Sequence, residues 1–244
     1  MRIAVISDIH GNSWALKRVM SDIETRNPDL IVNLGDSLYG PLDPGETFEL
    51  LKSREIISIS GNEDRLIAGD GSREGAGRTM KFVKSELSEE AITWLQSLPA
   101  IKILHDKIFL CHGTPDSDST YLTEQLSEQG LSVYDTLTIE SFLSDVKQKF
   151  IFCGHSHLPR VIKTASRGVV NPGSVGCPAF EDDVPFYHKI QNFNNNAQYC
   201  MVDLQDDEIL TEQVSLPYDF EKAADRALKL GFKDWARWIT TGSA

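Results

Sequence analysis

Five short apolar runs in this chain each end in a polar segment carrying His, Asp or Asn, and nothing else in the sequence limits the fold as much. Arg2–Ile6 leads into Ser7-Asp8-Ile9-His10, Leu30–Leu34 into Gly35-Asp36, and Ile56–Ile59 into Gly61-Asn62-Glu63-Asp64. Ile108–Cys111 leads into His112, and Phe150–Cys153 into Gly154-His155-Ser156-His157. Apolar runs this short, bounded by glycine and polar residues, read as buried strands. Polar residues at the carboxyl ends of sheet strands converge on the crevice where α/β proteins bind their ligands.

The segments between these runs support the same class. Ser13–Arg26 places Leu16, Val19, Met20 and Ile23 on one helical face, and Asn27-Pro28 stops it. Glu46–Ser53 follows a Gly/Pro-rich loop from Gly35 to Gly45 and reads as a helix. Strands alternating with helices predict βαβ units and a largely parallel sheet in the first half. Gly69–Gly77 reads as a mobile polar loop. Helices are expected over Met80–Leu87, Glu89–Leu98 (capped by Ser88), Leu122–Gln129 and Thr138–Lys149. A hairpin is expected from Ala100–His105 to Ile108–Cys111. From Val161 onward short strands dominate, with turns at Ser166-Arg167-Gly168 and Asp206-Asp207, and an asparagine loop tip at 192–196. Asp219 caps a last helix that Gly231 ends. With no repeat and no long linker, residues 1–244 read as one α/β domain with an antiparallel second half and a helical tail over about 219–240.

The 244 residues carry 24 basic and 36 acidic side chains, a net charge of −12. Phosphate-backbone binding needs a basic face, so this balance argues against nucleic acid as a partner, though not against a small phosphate ester held by metal. No apolar run has the length of a membrane span. Ile3–Ile6 is too short for a signal-peptide core. Cys111, Cys153, Cys177 and Cys200 form no C-x-x-C pair and read as reduced, buried small hydrophobes. Cytoplasm is therefore the expected compartment. A homo-oligomer is compatible with all of this.

Four histidines, two aspartates and one asparagine at the strand ends make a nitrogen and oxygen donor set without thiolate. Such a set suits two Mn, Fe, Zn, Ni or Co ions sharing a bridging carboxylate. His105 and His188 lie outside the series and read as hydrogen-bonded residues. Asn12 is either a helix N-cap ahead of Ser13-Trp14 or a contact to substrate phosphate.

Taken in order, D-x-H, G-D, G-N-x-D, the His after a strand, and G-H-x-H resemble the calcineurin-like metallophosphoesterase superfamily over Met1 to about Gly176. Asn171-Pro172-Gly173-Ser174-Val175-Gly176 and, less specifically, the tail resemble its small bacterial and archaeal phosphodiesterase-like branch. The resemblance implies a four-layer αββα sandwich with a dimetal site at the carboxyl ends of the strands. By the same resemblance Asp8, His10, Asp36 and His157 hold one metal, with Asp36 bridging to a second completed by Asn62, His112 and His155. The implied activity is hydrolysis of phosphodiesters by hydroxide that the two metals activate. A phosphomonoesterase or protein phosphatase on the same site, and a non-catalytic metal-binding scaffold, are the alternatives.

Glu63 stands where the family has a histidine that stabilises or protonates the leaving oxygen, a role typically worth about 10²–10⁴-fold. A carboxylate there predicts diesters with good leaving groups, because it repels a monoester dianion more than a diester monoanion. Asp64 is expected to orient His10 or His112. Arg65 and Arg160 follow ligand motifs and are candidate phosphate contacts, with a surface salt bridge as the competing reading. His188, with Phe186 and Tyr187 in the long 181–198 segment, is placed to reach over the site, or else to pack. Phe232, Trp235 and Trp238 share one helical side and are expected to pack the tail on the body.

Overall fold

The computed structural model describes residues 1–69, 77–127 and 130–244. In chain order the first half contains β1 (Arg2–Ile6), α1 (Ser13–Arg26), β2 (Leu30–Asn33), α2 (Pro44–Lys52), β3 (Ile57–Ser58) and α3 (Asn62–Ala68). Helices α4 (Arg78–Glu86) and α5 (Glu89–Ser97) precede β4 (Lys102–Leu104) and β5 (Ile108–Leu110). A hairpin of β6 (Glu124–Ser127) and β7 (Gly130–Val133) leads to α6 (Thr136–Phe142), β8 (Phe150–Phe152), β9 (Arg160–Lys163) and β10 (Gly168–Asn171). The chain closes with β11 (Ala179–Asp182), β12 (His188–Gln191), β13 (Ala197–Gln205), β14 (Glu208–Leu216), α7 (Phe220–Lys229) and α8 (Lys233–Thr241).

Two five-stranded sheets, ordered β14-β13-β1-β2-β3 and β4-β5-β8-β10-β9, form the centre of the fold. Strand alternation explains how they stack. Ile3 and Val5 of β1 meet Ile108, Leu110, Phe150 and Phe152 of the other sheet. Ala4 and Ile6 face the opposite way, onto Leu16, Val19 and Met20 of α1. In the second sheet Phe109 and Ile151 point outward and pack on Ile139 and Leu143 of α6 and its C-terminal cap. The layers are therefore helix, sheet, sheet, helix. Each fully buried Leu, Ile or Phe contributes about 1.5–3 kcal/mol, so the two sheet faces supply most of the apolar driving force.

Capping side chains set where the helices begin. Asn12, Asp43, Ser88 and Asp219 each accept a hydrogen bond from the backbone N–H three residues on, and Pro44 opens α2. Asn27 closes α1 in the left-handed conformation, just before Pro28.

Three expectations are corrected. Glu124–Ser127 and Gly130–Val133 pair as antiparallel strands where a helix over Leu122–Gln129 was expected; Leu126 and Leu131 are cross-strand partners, and that pairing puts both on the one face that packs against Tyr121, Leu158 and Ile190. The helix expected to run to Lys149 ends at Phe142. The second half is not simply antiparallel: β5, β8 and β10 run parallel, because α6 and then β9 carry the chain back between them. The glycine-rich segment expected at Gly69–Gly77 lies mostly outside the described residues, as do residues 128 and 129 of the expected helix. All four cysteines are free and buried. Among the described residues no helix is long and apolar enough to cross a membrane.

Candidate metal centre

The carboxyl ends of β1, β2, β3, β5 and β8, drawn from both sheets, meet at one rim. Asp8, His10 and His157 form one buried triplet, and Asp36, His112 and His155 form another. Within each, the donor atoms lie within 4.8 Å of one another. His112 Nε2 is 3.3 Å from Asp36 Oδ2 and 3.9 Å from Asp8 Oδ1, so the two triplets adjoin. His10 Nε2 and His157 Nε2 are 3.0 Å apart.

Local backbone conformation produces this convergence. Asp8, His10, Asp36, His155 and His157 all have φ between 51° and 67°, the left-handed region that Asp and His enter more readily than bulky residues. Each strand thereby turns sharply where its ligating side chain begins. The glycines beside them are there for space: a Cβ on Gly61 would lie 2.2 Å from Asp36 Oδ1, and one on Gly154 would lie 2.1 Å from Ser7 Oγ.

Backbone carbonyls orient the imidazoles. Nδ1–H of His10 donates to the Tyr39 carbonyl (2.8 Å), that of His112 to Leu34 (2.7 Å), and that of His157 to Cys177 (2.5 Å). Each bond fixes the tautomer and leaves Nε2 facing the centre. The 171–176 segment secures the same loops: the Val175 and Gly176 N–H groups donate to the carbonyls of Ser7 and Asp8, and Ser174 Oγ donates to the Asp8 carbonyl.

The donor set fits divalent ions on a direct criterion. Asp8 Oδ1, Asn62 Oδ1 and His112 Nε2 are buried and make no aligned hydrogen bond among the described residues, with His157 Nε2 3.4 Å from Asp8 Oδ1 and Asp36 Oδ2 3.3 Å from His112 Nε2. Leaving a buried polar atom unpaired costs about 1–3 kcal/mol, and three facing one rim call for a shared partner. Charge points the same way. Burial alone would lower His112 and His157, but the carboxylates of Asp36 and Asp8 raise both to about 10. Burial and the neighbouring imidazoles, His157 and His112 respectively, lower His10 and His155 to about 4. Asp8 and Asp36 lie below the usual carboxylate range despite burial, held down mainly by His157 and His112 respectively. Positive charge is what the carboxylate pair stabilises.

Other expected site residues fall elsewhere. Asn12 is fully buried: Oδ1 caps α1, and Nδ2 donates to the Gly176 carbonyl and Tyr218 Oη, so nothing remains for a phosphate. Asp64 orients neither His10 nor His112. It accepts from the Ser37 N–H (2.9 Å) and the Gly61 N–H (3.3 Å), tying together the two loops that carry Asp36 and Asn62. Arg65 forms a two-pronged ion pair with Asp118 on the far side of His112, and Arg160 pairs with Glu124. His188 is buried, donating from Nδ1 to the Phe186 carbonyl and accepting at Nε2 from Tyr121. None of these five lines the cleft over the triplets.

That cleft, about 280 Å³, is lined by Glu63 together with residues that motif reading did not assign to the site: Tyr39, Thr79, Phe180, Asp182, Trp235 and Trp238. The tail does pack on the body as expected, through Trp235, Trp238 and Ile239, and it also supplies a wall of the cleft. The 181–198 segment contributes through Glu181 and Asp182 rather than through His188. Burial and the carboxylates of Asp36, Asp64 and Asp182 raise Glu63 to about 8, the opposite direction from the one bound cations would give.

Paired His/Asp triplets at the strand ends of a four-layer α/β sandwich define a dimetal hydrolase class. The chain belongs to the calcineurin-like phosphoesterase superfamily, whose domain model matches residues 1–205, and it is accordingly a hydrolase of phosphoric esters. It is 29% identical to an uncharacterised protein of Methanocaldococcus jannaschii, covering 96% of this chain and 94% of the relative. Its fold is similar to a metallophosphoesterase from Sphaerobacter thermophilus (TM-score 0.78, 24% identity, 99% of this chain and 100% of the other). It is also similar to a hypothetical protein from Pyrococcus horikoshii (TM-score 0.76, 21% identity, 99% and 98% covered).

Proposed function

We propose that residues 1–244 act as one phosphodiesterase unit in the cytoplasm, with manganese among the ions that support activity. In this reading Asp8, His10 and His157 hold one ion, Asp36 bridges, and Asn62, His112 and His155 hold the other. The observation that carries it is the set of three buried atoms without an aligned hydrogen bond among the described residues, Asp8 Oδ1, Asn62 Oδ1 and His112 Nε2, on the rim where the triplets adjoin. Two bound dications supply Lewis acidity toward phosphoryl oxygens and a water acidic enough to act as nucleophile near neutrality.

The protein's own residues supply position and selectivity. Carbonyls of Tyr39, Leu34 and Cys177 keep three imidazoles aimed at the centre. Asp64 fixes the spacing of the Asp36 and Asn62 loops. Glu63 faces the cleft and, with both dications in place, is a carboxylate that donates no proton to the leaving oxygen. The cleft lining includes Glu63, Glu181 and Asp182 and, among the described residues, no Lys or Arg. Glu181 is paired with Lys189 and Arg237, so Glu63 and Asp182 are the charges that repel a monoester dianion more than a diester monoanion.

The test is metal stripping followed by titration with Mn, Zn or Co, while rates are followed on matched aryl diesters and monoesters. Recovery of diester cleavage at two equivalents supports the reading. Monoesters cleaved faster than diesters would replace it with a phosphomonoesterase, and metal uptake without turnover on either would make the chain a scaffold.

A further inference from the structure

We propose that the cleft beside the triplets receives the cationic end of its substrate: a phosphodiester of an alkylammonium alcohol, with the ammonium held among Tyr39, Phe180 and Trp235 beside Asp182. This rests on the hydrolase reading above and adds a substrate class to it.

Aromatic rings stand directly against the centre. The Trp235 ring centroid is 5.9 Å from that of His10, and Phe180 is 4.5 Å from His157. Tyr39 lies 6.4 Å from Trp235, and Trp238 lies 5.5 Å from it. A group among these rings would be one short alkyl spacer from a phosphorus at the triplets.

The angles between the rings favour a compact cation over a flat base. Trp235 is inclined by 57° to Tyr39 and by 52° to Trp238, and Phe180 by 58° to His157. None of these three pairs presents the parallel faces that sandwich a nucleobase. Mutually inclined aromatic faces are the arrangement that holds ammonium groups.

Charge completes the case. Glu181 is already neutralised by Lys189 (3.2 Å) and Arg237 (3.1 Å). Asp182 accepts one hydrogen bond, from the Val184 N–H, and forms no ion pair among the described residues; nor does Glu63. An unneutralised carboxylate beside aromatic walls lacking Lys and Arg attracts a cation and repels a second anion. In the reaction, oxygen from water forms the new P–O bond and the P–O bond to the other, better-leaving alcohol breaks. That alcohol leaves with one proton of the water, and the alkylammonium phosphomonoester keeps the other.

Calorimetric titration of metal-loaded and metal-stripped protein with choline, and with its carbon isostere in which a tert-butyl group replaces trimethylammonium, tests the site apart from catalysis. Choline should bind about ten-fold more tightly than the isostere in both forms. Trp235→Phe keeps an aromatic ring in the tail's packing but weakens the cation-binding face, and Asp182→Asn removes the charge; each should move the ratio toward one. The aryl diesters of the two alcohols, with the aryl alcohol leaving, should show the same preference in kcat/KM. Equal affinities, a ratio that neither variant changes, or stronger binding of adenosine than of choline would overturn the proposal. A retained binding ratio with no hydrolysis of any diester at two bound metals would instead overturn the hydrolase reading and leave the ammonium site standing.

Discussion

The floor and the outer wall of the cleft are built in opposite ways. The floor is made of residues just after strands, all but Asn62 buried and five of the seven in left-handed backbone conformations, with three of the four imidazoles tied to a carbonyl. The wall comes from a loop after β2, the edge of a two-stranded hairpin, and the last helix, α8, brought together only by packing. The floor's chemistry follows from local backbone geometry and tolerates little change. The wall's side chains are set by packing rather than by strand-end geometry, and the proposed ammonium preference resides there.

The largest expected effect lies in the floor. Asp36→Asn removes charge beside His112 and at the proposed bridge, so diesterase activity should fall on the order of 10³-fold or more. Elemental analysis should show fewer than two metals per chain. Two tightly held metals in the variant would take Asp36 out of the centre.

Glu63 stands at the boundary between floor and wall. If it withholds a proton from the leaving group, Glu63→His should accelerate alkyl diesters more than aryl diesters, by up to about 10²-fold. Equal losses on both, at constant metal content, would give Glu63 a catalytic task of its own. Its elevation to about 8 without metals makes that comparison worth running at full metal loading.

Gly154→Ala tests whether the floor is as unyielding as its geometry implies. The added Cβ would lie 2.1 Å from Ser7 Oγ and 3.0 Å from Asp8 Oδ2. Denaturant unfolding should show a loss of about 1–3 kcal/mol. A variant as stable as the parent would show that the β1 and β8 loops can separate.

The smallest effect belongs to a charge outside both regions and calibrates the others. Glu140 of α6 accepts from Thr164, Ser166 and Arg167, and although burial opposes it, these bonds lower its pKa from the ordinary 4.5 to about 2. A carboxyl depressed in the folded state stabilises above its unfolded pKa and loses that contribution as pH falls through the folded value. Glu140→Gln should therefore lower the unfolding midpoint slightly near neutrality, and the difference should fade between about pH 4.5 and 2. A difference that persists at the acid end would assign it to shape rather than charge.

Much of the floor could be read in advance because its signals are local. Asp8, His10, Asp36, Asn62, His112, His155 and His157 each follow an apolar run, and a strand end is a one-dimensional feature. The structure brings six of them into two triplets, with Asn62 on the same cleft. Asn12, Arg65, Arg160 and His188 lay close to those motifs or in a suspect segment, yet their polar groups are taken by the capped helix, Asp118, Glu124 and Tyr121. Proximity along the chain does not indicate which partner a side chain meets. The β6–β7 hairpin was misread for a related reason: its apolar residues suit either period until Tyr121 and Ile190 select the strand.

By itself the sequence determined the strand-end series and the helix caps, because each depends on residues within a few positions, and the acidic balance, which is a count over the chain. Only the tertiary structure decided which carbonyls orient the imidazoles, that Asp64 joins two loops, and that Trp235, some 225 residues beyond His10, stands 5.9 Å from it. Those contacts are set when two sheets and a C-terminal helix bury their apolar faces together, and burial records how hydrophobic a residue is without naming the neighbour it will find.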